Sequence, residues 1–176
     1  MNIKTKKINL RITIENVAER HPVPVLGTDY KIKIIYKNIK VAELDVDGKV
    51  IKISLPNKYK KSNNEKILDL AIEKMYEQIA KVEVERAMEK TRILLGFAPE
   101  DYEIKIIKNG FGKCENNKIT VNPEVVKYDR NIIDYVVLHQ YCHLKYKTHS
   151  KAFWKMIEGY ETNFEKYERL ISDKWL

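Results

Sequence analysis

The sequence has little cysteine and little arginine, and it has no apolar run near the ~18 residues that a membrane-spanning helix requires. Two cysteines, Cys114 and Cys142, cannot form the disulfide framework of a small secreted protein. The N-terminal stretch MNIKTKKINL contains no hydrophobic signal segment. Apolar residues make up 44% of the 176 residues, enough to bury a core, so wholesale disorder is excluded. These features predict a soluble, cytoplasmic protein with reduced thiols and no membrane partner.

The net charge is +8, from 33 basic and 25 acidic residues. Lysine supplies most of the basic charge, whereas arginine, with its planar fork, is the usual reader of phosphates and guanines. Acidic residues are interleaved with the lysines along the whole chain. The charge therefore predicts nucleic-acid binding that is at most weak and sensitive to salt.

The order of apolar patterns predicts an α+β fold that begins with an antiparallel sheet. Alternation of period two predicts a first strand over residues 8–16, and two prolines and a glycine predict a loop over 21–29. Asp47-Gly48 is a strong hairpin-turn signal. Further strands are predicted over residues 30–36, 40–45 and 49–55. We expect residues 1–56 to form the N-terminal sheet and residues 57–176 to form the rest of one compact unit.

A long helix should follow, capped within Ser62-Asn63-Asn64 and ended by Gly96 and Pro99. Its length of about 30 residues would allow a break or a kink. Beyond it we predict short strands over 103–108 and 118–121, then helices. The helix is predicted to bury Leu68, Ala71, Ile72, Met75, Ile79, Val82, Ala87 and Met88. The later helices are predicted to start near Arg130, near Ser150 and near Thr162, the last ending at about Ser172.

Three of the four histidines lie within eleven residues, at positions 139, 143 and 149. His139 and His143 are four residues apart on a helical pattern, so both imidazoles lie on one face, one turn apart. A continuing helix would turn His149 about 120° away from His143. We therefore predict a turn between residues 144 and 148, followed by a helix that Ser150 caps. Three imidazoles with a fourth position left for water are typical of catalytic zinc, so the sequence predicts a Zn²⁺ cofactor.

A bare histidine pair at this spacing is also common on ordinary helix surfaces, and the third histidine favours the metal interpretation. His21 lies in a proline-rich loop and is interpreted as a solvated side chain. Cys142 points to a different helix face from His143, so we expect it to pack in the core. Cys114 follows a glycine turn and could be a redox thiol, but we interpret it as packing near the site.

From about residue 103 to its C-terminus, the chain resembles the YgjP-like zinc metallopeptidases, relatives of the SprT-like and WLM proteases. The segment IDYVVLHQYCHLKYKTHSKAFW (133–154) follows that family's pattern IDYVVxHExCHLxxxxHSxxFW. Upstream, Phe111-Gly112-Lys113-Cys114, Ile119 and Asn122 are similar to its Trp-Gly-Ser-Cys…Ile-x-x-Asn segment. The N-terminal sheet and the long helix match in layout only.

The resemblance implies a zincin-like fold, a peptide or protein substrate, and a cleft strand from residues 103–121 to which the substrate adds by backbone pairing. It also implies two sets of site residues. The zinc ligands would be His139, His143 and His149, and the substrate-binding residues would be Gly112, Cys114 and Asn122.

Position 140 departs from the family pattern, because Gln140 replaces the glutamate that acts as general base. Glutamine is nearly isosteric and can hydrogen-bond water, but it cannot accept a proton. Hydrolysis should therefore be severely impaired. Gln140 is either a deliberate replacement, which the otherwise intact motif favours, or the mark of a natural pseudoenzyme. Two functions follow: a zinc metallopeptidase impaired by Gln140, or a non-catalytic zinc module that binds peptide or sits near nucleic acid.

Overall fold

The structure is a computed structural model that describes residues 22–60 and 65–172. The strand predicted over residues 8–16, His21 and the helix cap predicted at residues 62–64 lie outside these ranges. The described elements confirm the α+β class, with two small sheets and four α-helices. In the described ranges, no helix combines the length and the apolar character needed to cross a membrane.

The N-terminal sheet has the strand order β1-β2-β4-β3. Its strands are β1 (Val23–Val25), β2 (Thr28–Lys37), β3 (Glu43–Asp47) and β4 (Val50–Pro56). The predicted antiparallel arrangement is only partly correct, because β2 and β4 pair in parallel. The reason is burial. Strand β4 carries Ile51, Ile53 and Leu55, which are all at most 1% exposed, so it lies inside the sheet between β2 and β3. The exposed strand β3 lies at the edge.

Both hairpins of this sheet depend on residues with positive φ. Gly48, at φ 57°, lies in the turn between β3 and β4, as the Asp47-Gly48 signal predicts. The loop predicted over residues 21–29 is wrong in part, since β1 and β2 form a second hairpin there. Leu26 and Gly27 make its turn with φ of 48° and 75°. Pro24 is tolerated because β1 is an edge strand among the described strands.

Helix α1 (Glu65–Leu95) is continuous through its 31 residues, without the break that its length would allow. It ends at Gly96, whose φ of 73° permits a backbone bond to the Arg92 carbonyl at 2.9 Å. Val82 was predicted to be buried but is 66% exposed, while Glu83 is 5% exposed. Glu83 is tolerated there because it binds the guanidinium of Arg130 at 2.6 Å. Its ion pairs join α1 to the next long helix.

The C-terminal part holds a second sheet, in the order β5-β7-β6, and three helices. The strands are β5 (Asp101–Ile104), β6 (Gly112–Glu115) and β7 (Lys118–Val121), and the helices are α2 (Arg130–Lys145), α3 (Lys151–Glu158) and α4 (Phe164–Ile171). A short 3₁₀ helix, Pro123–Lys127, lies between β7 and α2. The strand predicted over 103–108 begins earlier and is shorter, and β6 follows the predicted glycine turn.

The two parts of the chain share one cluster of buried apolar side chains. The backbone N–H of Leu26, in the first hairpin, donates to the Val126 carbonyl at 2.7 Å. The Tyr141 hydroxyl of α2 donates to the Met88 carbonyl of α1 at 3.1 Å. The first bond joins the N-terminal hairpin to the 3₁₀ helix that precedes α2. The second bond fixes α2 against α1, which positions the histidines that α2 carries. The domain division at residue 56 stays a prediction.

Candidate metal centre

The histidines lie where helix α2 ends and the chain turns into α3. Asp129 caps α2, its carboxylate accepting from the backbone N–H of Asn131 at 2.9 Å. The helix ends at Lys145, which confirms the predicted turn. The Ser150 hydroxyl then accepts from the backbone N–H of Phe153 at 3.3 Å and caps α3, as predicted. The turn brings His149 back to the α2 face that carries the other two histidines.

The Nε2 atoms of the three histidines converge on one point. Nε2 of His139 lies 2.9 Å from that of His149 and 3.2 Å from that of His143. The His143 and His149 Nε2 atoms are also 3.2 Å apart. Nitrogen ligands about 2.0–2.1 Å from a tetrahedral zinc ion lie about 3.3 Å from one another. The three atoms therefore fit a zinc ion, and this group could hold one.

The solvent exposure of the three histidines increases along the chain: His139 is buried, His143 is half-buried and His149 is exposed. Burial and the neighbouring His143 and His149 rings lower the pKa of His139 well below its usual range. Burial is also the main cause that lowers the pKa of His143. Neutral imidazoles are the form that binds metal. The environment therefore favours the metal-binding state of both side chains.

Two aromatic side chains of α3 pack against the histidines. The Phe153 ring is fully buried, with its centroid 4.6 Å from that of His143 and 4.9 Å from that of His139. The Trp154 ring stacks on His149 at 5.2 Å. These rings restrict the orientations of the imidazoles and keep one side of the group dry.

The second ring nitrogen, Nδ1, has a partner in two of the histidines. Nδ1 of His143 lies 2.9 Å from the Tyr146 carbonyl oxygen. Nδ1 of His139 lies 3.3 Å from the Tyr135 hydroxyl, which in turn donates to the Glu168 carboxylate. Sequence reasoning missed Tyr135 and Glu168. Tyr135 could have been found, because it lies one helical turn before His139, whereas nothing local indicates Glu168.

Gln140, at the predicted general-base position, is 1% exposed and lies against strand β6. A Cβ placed on Gly112 would lie 2.7 Å from the Gln140 Cγ and Nε2 atoms. Any larger residue at position 112 would therefore force Gln140 or β6 to shift. The Nε2 atom of Gln140 has no hydrogen-bond partner among the described residues.

The other two predicted substrate-binding residues have different surroundings. Cys114 lies half-buried on β6, and burial raises the pKa of its thiol. Asn122 is buried, and its side-chain amide donates to the carbonyl oxygens of Gly110 at 3.2 Å and Ile107 at 3.3 Å. Asn122 thus shapes the loop that leads into β6. Cys142 is fully buried and burial raises its pKa to about 12, as expected for a core thiol.

Comparison with known proteins gives a family match and several similar solved structures. The model of the family described as YgjP-like, metallopeptidase domain, matches residues 2–174. This match extends over the N-terminal sheet and the long helix, where sequence motifs indicate a likeness in layout only. No curated protein matches the chain.

Two of the similar solved structures are archaeal metallopeptidase zymogens. Pyrococcus abyssi abylysin is 24% identical, with a TM-score of 0.45, covering 51% of this chain and 93% of that one. Methanocaldococcus jannaschii jannalysin is 22% identical, with a TM-score of 0.46, covering 53% of this chain and 91% of that one. At these values the two likenesses have no bearing on activity.

Proposed function

Since the chain belongs to the YgjP-like metallopeptidase family, we propose that it is a zinc-dependent peptidase scaffold whose hydrolytic step is impaired by Gln140. The observation that carries the proposal is the convergence of three Nε2 atoms within 2.9–3.2 Å of one another. A zinc ion held by His139, His143 and His149 would supply a Lewis acid that lowers the pKa of a water molecule toward about 7.

Strand β6 supports the substrate part of the proposal. Within the described strands it pairs with β7 on one side only, so its other edge is available for backbone pairing with an extended peptide. Gly112, at the start of β6, contacts Gln140, the residue that follows His139 on α2. A peptide paired with β6 would therefore run beside the residues proposed to hold the metal.

Gln140 determines how far the reaction can go. Its amide can donate or accept a hydrogen bond and so can orient water, but an amide cannot take up a proton at neutral pH. General acid–base assistance is typically worth about 10²–10⁴ in rate. We therefore expect the chain as it stands to hydrolyse peptides slowly or not at all.

The test has two stages, metal first and hydrolysis second. Protein purified and reconstituted with zinc should contain one ion per chain by elemental analysis, and His143→Ala should lose it. Gln140→Glu should then raise the hydrolysis of casein, or self-cleavage of the chain, by about 10²–10⁴-fold, with the activity lost on chelation.

Gln78→Glu is the matched control, because it makes the same chemical change at an exposed position of α1. It should leave hydrolysis at the wild-type level. Failure to bind zinc would refute the metal site, and equal hydrolysis by wild type and Gln140→Glu would refute the role of position 140.

A second function, peptide capture without hydrolysis, is favoured by Gln140 itself, because binding along β6 needs no proton acceptor. If Gln140→Glu carries zinc but cleaves no substrate, while unstructured peptides bind to the wild-type protein, capture is the better description. Substitution of Cys114 by proline would then weaken peptide binding. In the antiparallel register with β7, the backbone N–H of Cys114 faces the free edge of β6, and proline removes that donor.

A further inference from the structure

Tyr135 and Glu168 lie behind His139, at the ring nitrogen that does not face the other two histidines. The Tyr135 oxygen lies 3.3 Å from Nδ1 of His139. The Tyr135 hydroxyl donates to a Glu168 carboxylate oxygen, and that oxygen lies 3.9 Å from the same Nδ1. Glu168 belongs to α4, so the last described helix reaches the histidine group through one tyrosine.

The chemistry of these groups fixes the direction of each hydrogen bond. A carboxylate can only accept, so Tyr135 gives its single hydroxyl proton to Glu168. The Tyr135 oxygen keeps its lone pairs and accepts the hydrogen on Nδ1 of His139. The proton of the neutral imidazole is therefore on Nδ1. The lone pair is left on Nε2, the atom that faces His143 and His149.

We propose that Tyr135 and Glu168 are positioning residues for the metal site, forming a carboxylate–hydroxyl–imidazole relay that holds His139 in the tautomer able to bind metal through Nε2. The inference rests on the proposed function, because it requires a metal at the three Nε2 atoms. Partners of this kind orient metal-binding histidines and raise their basicity, and losing one typically costs about 10–100-fold in metal affinity.

His143 is held differently from His139. Its Nδ1 lies against the backbone carbonyl of Tyr146, which no side-chain substitution removes. His139 depends instead on two side chains from elements far apart in sequence. The surroundings hold the relay in place: Tyr135 is 1% exposed, its ring packs 5.7 Å from that of Tyr167, and Ile171 of α4 is fully buried. Glu168 is half-buried and so sits where water competes less for its carboxylate.

Removing the carboxylate should do more than remove one bond. Without Glu168 the Tyr135 hydroxyl is free to donate to Nδ1 of His139, which moves the imidazole proton to Nε2 and opposes metal binding. Glu168→Leu should therefore lower the zinc affinity about 10–100-fold. Glu168→Gln should lower it less, because the amide oxygen can still accept from Tyr135.

The experiment measures zinc affinity by competition with a chromophoric chelator, on zinc-free protein whose folding has been checked by circular dichroism. The variants are Glu168→Leu, Glu168→Gln, Tyr135→Phe and the double variant Tyr135→Phe/Glu168→Leu. Glu165→Leu is the matched control, since Glu165 is an exposed glutamate on the same helix, and it should keep the wild-type affinity. Tyr135→Phe should lose about 10–100-fold, and the double variant should lose no more, because both residues act through the same atom.

The outcomes separate the relay from the metal site itself. Wild-type protein that takes up no zinc refutes both the proposed function and the relay. Zinc bound by the wild type and lost in His143→Ala, with unchanged affinity in Glu168→Leu, refutes the relay alone. Losses that add in the double variant also refute it, since they would show that the two residues affect zinc affinity independently. If Tyr135→Phe fails to fold, Glu168→Leu and Glu168→Gln decide the question.

Discussion

Replacing Gly112 with alanine would test how tightly strand β6 packs against helix α2. The new Cβ would lie 2.7 Å from the Cγ and Nε2 atoms of Gln140 and 2.8 Å from its Cδ. Non-bonded carbons normally stay about 3.5–4.0 Å apart, so one side must move by about 0.8 Å. Gln140 is 1% exposed and has little room to move. We expect the free energy of unfolding to fall by about 1–3 kcal/mol, the usual cost of overpacking.

Urea unfolding followed by circular dichroism would measure this loss. Gly159→Ala is the control, because a Cβ there would meet its nearest atoms at an ordinary 3.5 Å and the backbone is helical, with φ of −65°. It should be neutral or slightly stabilising. Gln140→Ala removes the three atoms that the new Cβ would meet, so Gly112→Ala should cost little in that background. An equal cost in both backgrounds would refute the packing argument.

Two further predictions concern groups outside the metal site. Glu83→Gln should lower the free energy of unfolding by about 1–3 kcal/mol near neutral pH, because a buried carboxylate loses its charged bonds from Arg130 and Arg86. The hydrogen bond from Arg130 lowers the pKa of Glu83 from its usual 4.5. The stability difference between Glu83→Gln and the unchanged protein should therefore persist above pH 4.5 and vanish as the pH falls through the lowered pKa of the folded state. Urea unfolding at a series of pH values would show this. Cys142, whose pKa burial raises to about 12, should react with a thiol reagent only after unfolding, whereas half-buried Cys114 should react first. Mass spectrometry would locate the label, and equal labelling in the native protein would contradict the burial argument.

Local sequence signals predicted the elements that depend on neighbouring residues. The Asp47-Gly48 turn follows from glycine's tolerance of positive φ, and the Ser150 cap follows from side-chain chemistry at a helix start. The helical spacing of His139 and His143 places them on one face, and the predicted turn before His149 is present. All of these depend on contacts within a dozen residues.

Contacts between distant residues were not predictable in the same way. Parallel pairing of β2 with β4 depends on which strand is most apolar across the finished sheet, and strand spacing does not encode this. The buried face of α1 was misjudged near Val82, because Glu83 faces Arg130, 47 residues later. Glu168 was missed for the same reason, since it meets Tyr135 across 33 residues and only through the fold.

Strand β6 also bears on strand pairing between copies of the chain. A strand with one unpaired side can pair with the same strand of another copy, which is a common start of aggregation. β6 has only four residues, and its exposed side chains are Lys113 and Glu115, which form an ion pair at 2.8 Å. A strand this short offers few backbone hydrogen bonds to a second copy of the chain that makes no other contact. Bringing two charged edges together would also remove water from their side chains, which costs free energy. The edge that the proposed substrate would use is therefore a poor template for pairing between copies of the chain.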